Sequence, residues 1–189
     1  MSVSRPGENE DLADLIVHLA RLGQSAGDAS LTAAQWTALR YFARANRFSR
    51  TPSAFSEFHA TTRGTASQTV KSLVALGLLA RHSHGSDGRS TLIEVTPDGH
   101  AMLERDPLRA LRSVLDALPS EMNHALGQAL RHAVADLAQR RAAPMFGTCA
   151  ECRHCEPGDE ASFCHCTQAL LSAPDMAALC VDFRPASRG

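Results

Sequence analysis

Residues 61–82 read TTRGTASQTVKSLVALGLLARH, and this stretch decides the fold. Ala66, Val70, Leu73 and Val74 recur at helical spacing and form one apolar stripe. Ser67, Gln68, Lys71 and Ser72 face the other way, Arg63 precedes them, and no acid interrupts that face. Thr61–Gly64 reads as a turn, the helix as running from Thr65 to Leu76, and Gly77 as its C-cap. A helix that carries small polar and basic side chains outward suits a major groove roughly 12 Å wide.

Working outward from it, Thr51-Pro52 is an N-cap followed by proline in the first turn, opening a short helix through about Phe58. Before that, a helix after Thr32 turns Trp36, Leu39, Phe42 and Ala43 inward. After it come two β candidates, Leu78–His82 and Thr91–Thr96, joined by a polar turn containing Asp87-Gly88-Arg89. Helix, short helix, turn, helix and basic hairpin is the order of a winged helix-turn-helix. The flanks are helical. Leu12, Leu15, Ile16, Leu19 and Leu22 form one stripe. Thr96-Pro97 caps a helix that Pro107 should kink, with Leu111, Val114 and Leu115 beyond. A last helix carries Met122, Leu126, Leu130, Val134 and Leu137 before Ala142-Ala143-Pro144 ends it.

The 189 residues carry a net charge of −1, which at first sight argues against a nucleic-acid partner. The charge is unevenly placed. Residues 33–91 sum to +6 between acidic flanks, a footprint suited to phosphate backbones. Arg40, Arg44, Arg47 and Arg50 read as a solvated face, with a phosphate-facing ridge as the alternative. No apolar run approaches the ~18 residues of a membrane span, and residues 1–15 lack the basic start and apolar stretch of a signal peptide. The expectation is a cytoplasmic protein without a membrane partner.

The pattern LTAAQWTALRYFA, then TTRGTASQTVKSLVALGLLARH, SDGRS and IEVTPDGHAML, over residues 31–103, resembles the MarR family of bacterial transcriptional regulators. With its flanking helices the likeness covers roughly residues 10–141. The resemblance implies a homodimer joined by its terminal helices, binding double-stranded DNA at a palindromic operator through two winged helices, most simply as a repressor. It implies DNA contact by Arg89 in the wing, oriented through Asp87, and admits a small phenolic or aromatic anion as effector. The expected DNA-binding residues are Arg63, Thr65, Ser67, Gln68, Thr69, Lys71 and Arg89.

All six cysteines lie in the last 41 residues. In a cytosolic chain such density points to metal or redox chemistry rather than disulfides. Cys149-x-x-Cys152-x-x-Cys155 supplies three thiolates within seven residues, a local spacing used by 4Fe–4S ligation with a remote fourth cysteine. Cys180 is the natural fourth ligand, returning after a short helix around Ala169–Leu179, and Cys164 competes with it. The segment also looks like small modules of the form C-x-x-C…C…C-x-D-F, whose ligands would be Cys149, Cys152, Cys164 and Cys180, leaving Cys155 and Cys166 spare. An iron–sulfur cluster (4Fe–4S or 2Fe–2S) ranks ahead of structural zinc, and a metal-free thiol switch comes last. His154 and His165 read as bystanders.

The expected fold is mostly α with a small β-hairpin wing, and a short cysteine-rich metal-binding tail follows the helical dimerisation region. The expected parts are residues 1–30 (N-terminal dimerisation helix), 31–97 (winged helix), 98–143 (C-terminal dimerisation helices) and 144–189 (cysteine segment). The reading is a redox- or iron-sensing DNA-binding regulator, not an enzyme. The centre would act by shifting the dimer helices just ahead of it. An aromatic-acid-responsive repressor with structural zinc is the first alternative, and a thiol or iron–sulfur electron-transfer protein is the alternative of another class.

Overall fold

Thr32 opens the central helix with a capping box: its hydroxyl accepts from the Gln35 amide at 3.3 Å, and Gln35 Oε1 accepts from the Thr32 amide at 2.7 Å. In the computed structural model, which describes residues 6–25, 30–84, 90–159 and 161–186, this helix is α2 (Ala33–Arg44). It is preceded by α1 (Pro6–Gln24) and followed by α3 (Pro52–Phe58) and α4 (Arg63–Ala75). Strands β1 (Leu79–His84) and β2 (Ser90–Val95) come next, then α5 (Pro97–Leu103), α6 (Leu108–Asp116) and α7 (Ser120–Arg140).

The winged helix is built as the pattern predicts, with local shifts. Thr51 caps α3 and Thr96 caps α5, each with proline in the first turn. Recognition-type helix α4 starts two residues earlier than expected, because Thr62 is the N-cap and accepts from the Thr65 amide at 3.2 Å. The turn therefore lies ahead of Arg63, around Ala60, which takes a φ of 49°. Gly77, at φ +73°, ends α4 in the left-handed conformation that glycine tolerates best. The wing strands pair antiparallel from Leu79↔Val95 to His84↔Ser90. Gly99 lets α5 lie against the strand: a Cβ there would meet Leu78 O at 2.2 Å.

The core sits beneath α2, α3, α4 and β2. Leu39, Phe55, Val70, Leu73 and Ile93 are completely buried, each worth roughly 1.5–3 kcal/mol relative to exposure. Trp36 and Phe42 are core, as expected, and Tyr41 joins them by donating its hydroxyl to Ser49 O at 2.7 Å. Asp106 sits at a full break between α5 and α6 rather than a kink. Its carboxylate accepts from Arg40 and Arg112 and from the Leu108 amide.

The flanking helices behave differently. Leu12, Leu15, Ile16 and Leu22 on α1, and Met122, Val134 and Leu137 on α7, remain exposed, Val134 to 63%. Their stripes belong to the helices expected to join two copies of the chain. Within one chain they have little to turn onto.

The cysteine segment forms short pieces: β3 (Gly147–Thr148), a single 3₁₀ turn at Cys149–Glu151, β4 (Cys155–Glu156), β5 (Ser162–Cys164), β6 (Ala169–Leu171), α8 (Ala173–Ala177) and β7 (Leu179–Cys180). β3 pairs with β7, and β4, β5 and β6 form a second small sheet. The helix expected across Ala169–Leu179 is confined to α8. Residues 169–171 pair with β5 instead, and the Asp175 carboxylate, accepting from both the Ser172 amide and hydroxyl, starts the helix late.

Candidate nucleic-acid interface and thiol cluster

Ala66, Val70 and Leu73 anchor α4 in the core, which leaves its opposite face in solvent. Arg63, Thr65, Gln68 and Lys71 are exposed, and Ser67 and Thr69 are half-buried along its edges. Two of these side chains are already engaged within the helix. The Thr65 hydroxyl lies 2.9 Å from that of Thr62, and Thr69 donates to Thr65 O at 3.1 Å. Ser72 was read as outward, but it accepts from Gln35 Nε2 at 2.8 Å and ties α4 to the start of α2. Arg89 and Asp87, the wing-tip residues, lie outside the described residues.

The arginine row resolves into four separate fates. Arg40 pairs with buried Asp106 at 3.1 Å, and Arg47 pairs with Asp175 at 3.6 Å. Arg50 donates to Ala45 O, and Arg44 lines a cavity. Neither the solvated face nor the phosphate ridge describes them as a group. Part of the +6 segment is thus spent inside the fold, while Arg63 and Lys71 on α4 and Arg81 on β1 stay exposed.

Arg40, Ala43, Arg44, Leu103, Asp106 and Arg112 surround that cavity of about 170 Å³ between α2 and the α5–α6 break. Arg40 gives its Nε to Asp106, while its buried Nη2 has no partner. Burial lowers the Arg40 pKa from its ordinary value, with Asp106 pulling it the other way.

The tail's anchoring bonds reach the segment between α2 and α3, not the last helix. The Asn46 amide donates to Leu179 O at 2.9 Å, the Val181 amide to Ser49 Oγ at 2.9 Å, and Arg47 Nη2 to Leu170 O at 2.5 Å. Ala45 and Leu179 form a parallel bridge. Phe146 stands edge-on to Phe58 at 5.1 Å between ring centres, and Leu179 joins the winged-helix core. Burial pushes the Asp175 carboxyl up, but bonds from Ser172 and the charge of Arg47 outweigh it and hold the group below the usual carboxylate range.

Cys149, Cys164 and Cys180 are buried, Cys152 and Cys155 half-buried, and Cys166 exposed, all as free thiols. Burial pushes the Cys149 thiol up to about 12, and the neighbouring Cys180, Cys164, Cys152 and Cys155 add to this in that order. Cys166 likewise feels Cys164, Cys180 and Cys152, so all six cysteines lie in one neighbourhood. Among the described residues, however, no three His, Cys, Asp or Glu side chains converge tightly enough to hold a metal ion. Cys155 faces Cys164 across the β4–β5 ladder and directs its thiol at Met176 Sδ, 3.8 Å away. Arg184 donates its amide to Cys152 Sγ at 3.5 Å. His165 contacts Glu156 at 2.6 Å. A protonated, sheltered thiol is a poor nucleophile, which weighs against an exchange catalyst.

Asn46 was missed by sequence reasoning. It is 1% exposed, and its Oδ1 accepts from the Phe48 and Ser49 amides at 3.1 and 2.9 Å. Its buried Nδ2 has no hydrogen-bond partner of standard geometry. It lies beside Cys180, whose thiol burial pushes above its ordinary value although the Asn46 and Ser49 side chains and the Asp182 amide pull the other way. Nothing in a lone asparagine after a helix announces a partner more than 130 residues away.

The fold so described is a winged helix-turn-helix with flanking helices and an added cysteine module. Residues 29–90 match the sequence model of the MarR family. Among solved structures the chain is similar to a MarR family transcriptional regulator of Streptomyces coelicolor, Sco3205, in complex with DNA: 22% identity, 72% of this chain and 92% of that one, TM-score 0.56. It is similar to the S. aureus MepR–DNA complex at 20% identity, covering 68% of this chain and 95% of that one, TM-score 0.54. A third likeness is to Bordetella bronchiseptica BpsR, whose DNA binding is described as regulated by 6-hydroxynicotinic acid: 24% identity, 69% and 99% coverage, TM-score 0.51. At these identities the likeness establishes the fold. No curated protein matches the chain. Among the described residues no helix is long and apolar enough to cross a membrane.

Proposed function

We propose that this protein is a sequence-specific DNA-binding transcriptional regulator, a repressor acting as a homodimer on a palindromic operator. The acid-free outer face of α4, held away from the core by Ala66, Val70 and Leu73, carries the reading. Gln68 and Ser67 would meet base edges, while Arg63, Thr65, Thr69, Lys71 and the wing's Arg89 would meet base edges or phosphates. The exposed stripes of α1 and α7 are the surfaces a second copy would cover. Duplexes selected from a random pool by the full-length protein supply the probe. Arg63→Ala and Arg89→Ala should weaken binding and flatten its salt dependence by about one unit of slope each. Unchanged binding in both variants removes this interface.

In this proposal the tail holds a thiolate-ligated metal centre that modulates DNA affinity, an iron–sulfur cluster ahead of zinc. Four neighbouring thiols, Cys149, Cys152, Cys164 and Cys180, are the preferred ligand set, and Cys155 is the alternative, aimed instead at Met176. A tail too small for a sizeable core of its own would gain its fold from such a centre. Purification without air, followed by metal and acid-labile sulfide analysis, distinguishes cluster, zinc and neither.

A second reading is favoured by the α2–α6 cavity. The exposed Arg44 in its lining suits the carboxylate of a small aromatic acid. Such an effector would release DNA on titration, and Arg44→Gln would abolish the response.

A further inference from the structure

Two of the thiols are set opposite one another by the backbone. In the β4–β5 ladder Cys155 is the direct partner of Cys164, and Glu156 of Phe163. The next pair outward carries a hydrogen bond, from the His165 amide to His154 O at 2.9 Å. Bonded and unbonded pairs alternate along an antiparallel ladder, so Cys155 and Cys164 form an unbonded pair. In such a pair the Cα atoms stand roughly 4.5 Å apart and both side chains share one face of the sheet. A disulfide needs Cα atoms about 4.4–6.8 Å apart, so this register accepts one without moving the strands. β6 pairs with β5 on its other side and holds it in place.

The surroundings suit a link at this pair. Cys164 lies with Cys149 and Leu171 in the tail's apolar cluster, and half-buried Cys155 packs against that cluster. Both are free thiols. The Cys155 thiol points at Met176 Sδ, 3.8 Å away, and rotation about its Cα–Cβ bond is the movement that turns it towards Cys164. Other thiols are held elsewhere. Cys152 pairs with Pro185 in an isolated bridge and accepts from the Arg184 amide at 3.5 Å, so it faces the C-terminal segment. Cys166 is exposed beyond the end of β5, and Cys180 stands opposite Gly147.

We infer that Cys155 and Cys164 are an oxidation site, forming a reversible disulfide across the β4–β5 ladder with a peroxide as the oxidant. Cys155, the more accessible of the two, attacks first: its sulfur takes one peroxide oxygen, the O–O bond breaks, and its proton leaves in the water released. Cys164 then attacks the sulfur of the Cys155 sulfenic acid. The S–S bond forms, the S–O bond breaks, and the leaving hydroxide takes the Cys164 proton as a second water. Two thiols and one hydrogen peroxide thus become one disulfide and two waters, with two electrons passing from sulfur to oxygen. A low-molecular-weight thiol reverses the step by exchange. In a reducing compartment such a link is transient, which suits a mark of oxidation rather than a structural brace. No metal takes part. The inference goes beyond the proposed centre, whose preferred ligand set lacks Cys164 for as long as the link lasts.

The test uses the full-length protein, both as purified and after chelator treatment, exposed to hydrogen peroxide and then blocked with iodoacetamide. Fragment mass spectrometry of the digest should show Cys155 joined to Cys164 as the main cross-link in at least one of the two forms, and dithiothreitol should remove it. Cys166→Ser should keep the link. Cys164→Ser should lose it and raise dimedone labelling of the Cys155 sulfenic acid about tenfold. Joining of Cys155 to any other cysteine, or no intramolecular link in either form, overturns the inference. Should Cys164→Ser fail to fold by circular dichroism, the wild-type map decides by itself. Metal and sulfide analysis of the protein as purified judges the proposed centre separately, so either reading can fall alone.

Discussion

The winged helix buries Leu39, Phe42, Phe55, Leu73 and Ile93 almost completely, whereas the tail's own buried cluster consists of Cys149, Cys164 and Leu171. The first region is stabilised by apolar area, so its polar residues are free to face a partner. In the second, sulfur occupies the places where leucine would normally stand. A change that empties the core should therefore act first on the stability of the first region, and a change in sulfur chemistry first on the second, with Leu179 as the residue common to both.

The largest effect expected from this contrast is in Leu73→Ala. It should cost about 2–5 kcal/mol in denaturant unfolding, followed by the fluorescence of Trp36, the single tryptophan. If the proposed metal centre exists, the number of metal equivalents bound per folded chain should stay the same. Loss of metal in step with core stability would break the division between the two regions.

Gln68→Ala and Lys71→Ala should sharpen it from the surface. Gln68→Ala should lose about 1–3 kcal/mol of preference for the selected duplex. Lys71→Ala should weaken all duplexes alike and reduce the salt slope by about one. Neither should move the unfolding midpoint beyond the ±0.5 kcal/mol or so typical of surface changes.

The smallest effect concerns the joint. The Asp175 pKa is lower in the fold than in the unfolded chain, so its contribution is fully present above the unfolded value of about 3.9. That contribution is lost as the pH falls through the folded value. Acidification should loosen the Arg47–Asp175 contact by less than about 1 kcal/mol, seen as faster proteolysis of the tail. In Asp175→Asn this acid dependence should vanish.

The winged helix was legible because its signals are local. Thr51-Pro52, Thr96-Pro97 and Gly77 each specify a boundary within a few residues, and the Ala66–Val70–Leu73 spacing specifies which face of α4 is free. The start of α4 slipped because Thr62 and Thr65 are both competent caps. The arginine row was not legible, since its partners, Asp106 and Asp175, lie far along the chain. The thiol cluster was visible as spacing, but its seat on Asn46 and Ser49 depends on tertiary packing that one sequence does not encode locally.

The bond from Val181 to Ser49 spans 132 positions, which has a consequence for synthesis. Although α4 and the wing strands are encoded within residues 31–103, the loop between α2 and α3 gains its bond to Val181 only after residues near 180 have left the ribosome. Until then Leu179 and Phe146 are missing from the core, so the nascent domain is incomplete on the side of α3. Loop closure over such a distance is slow relative to helix formation. A chain assembled in this order acquires its finished shape only once its cysteine-rich tail is present.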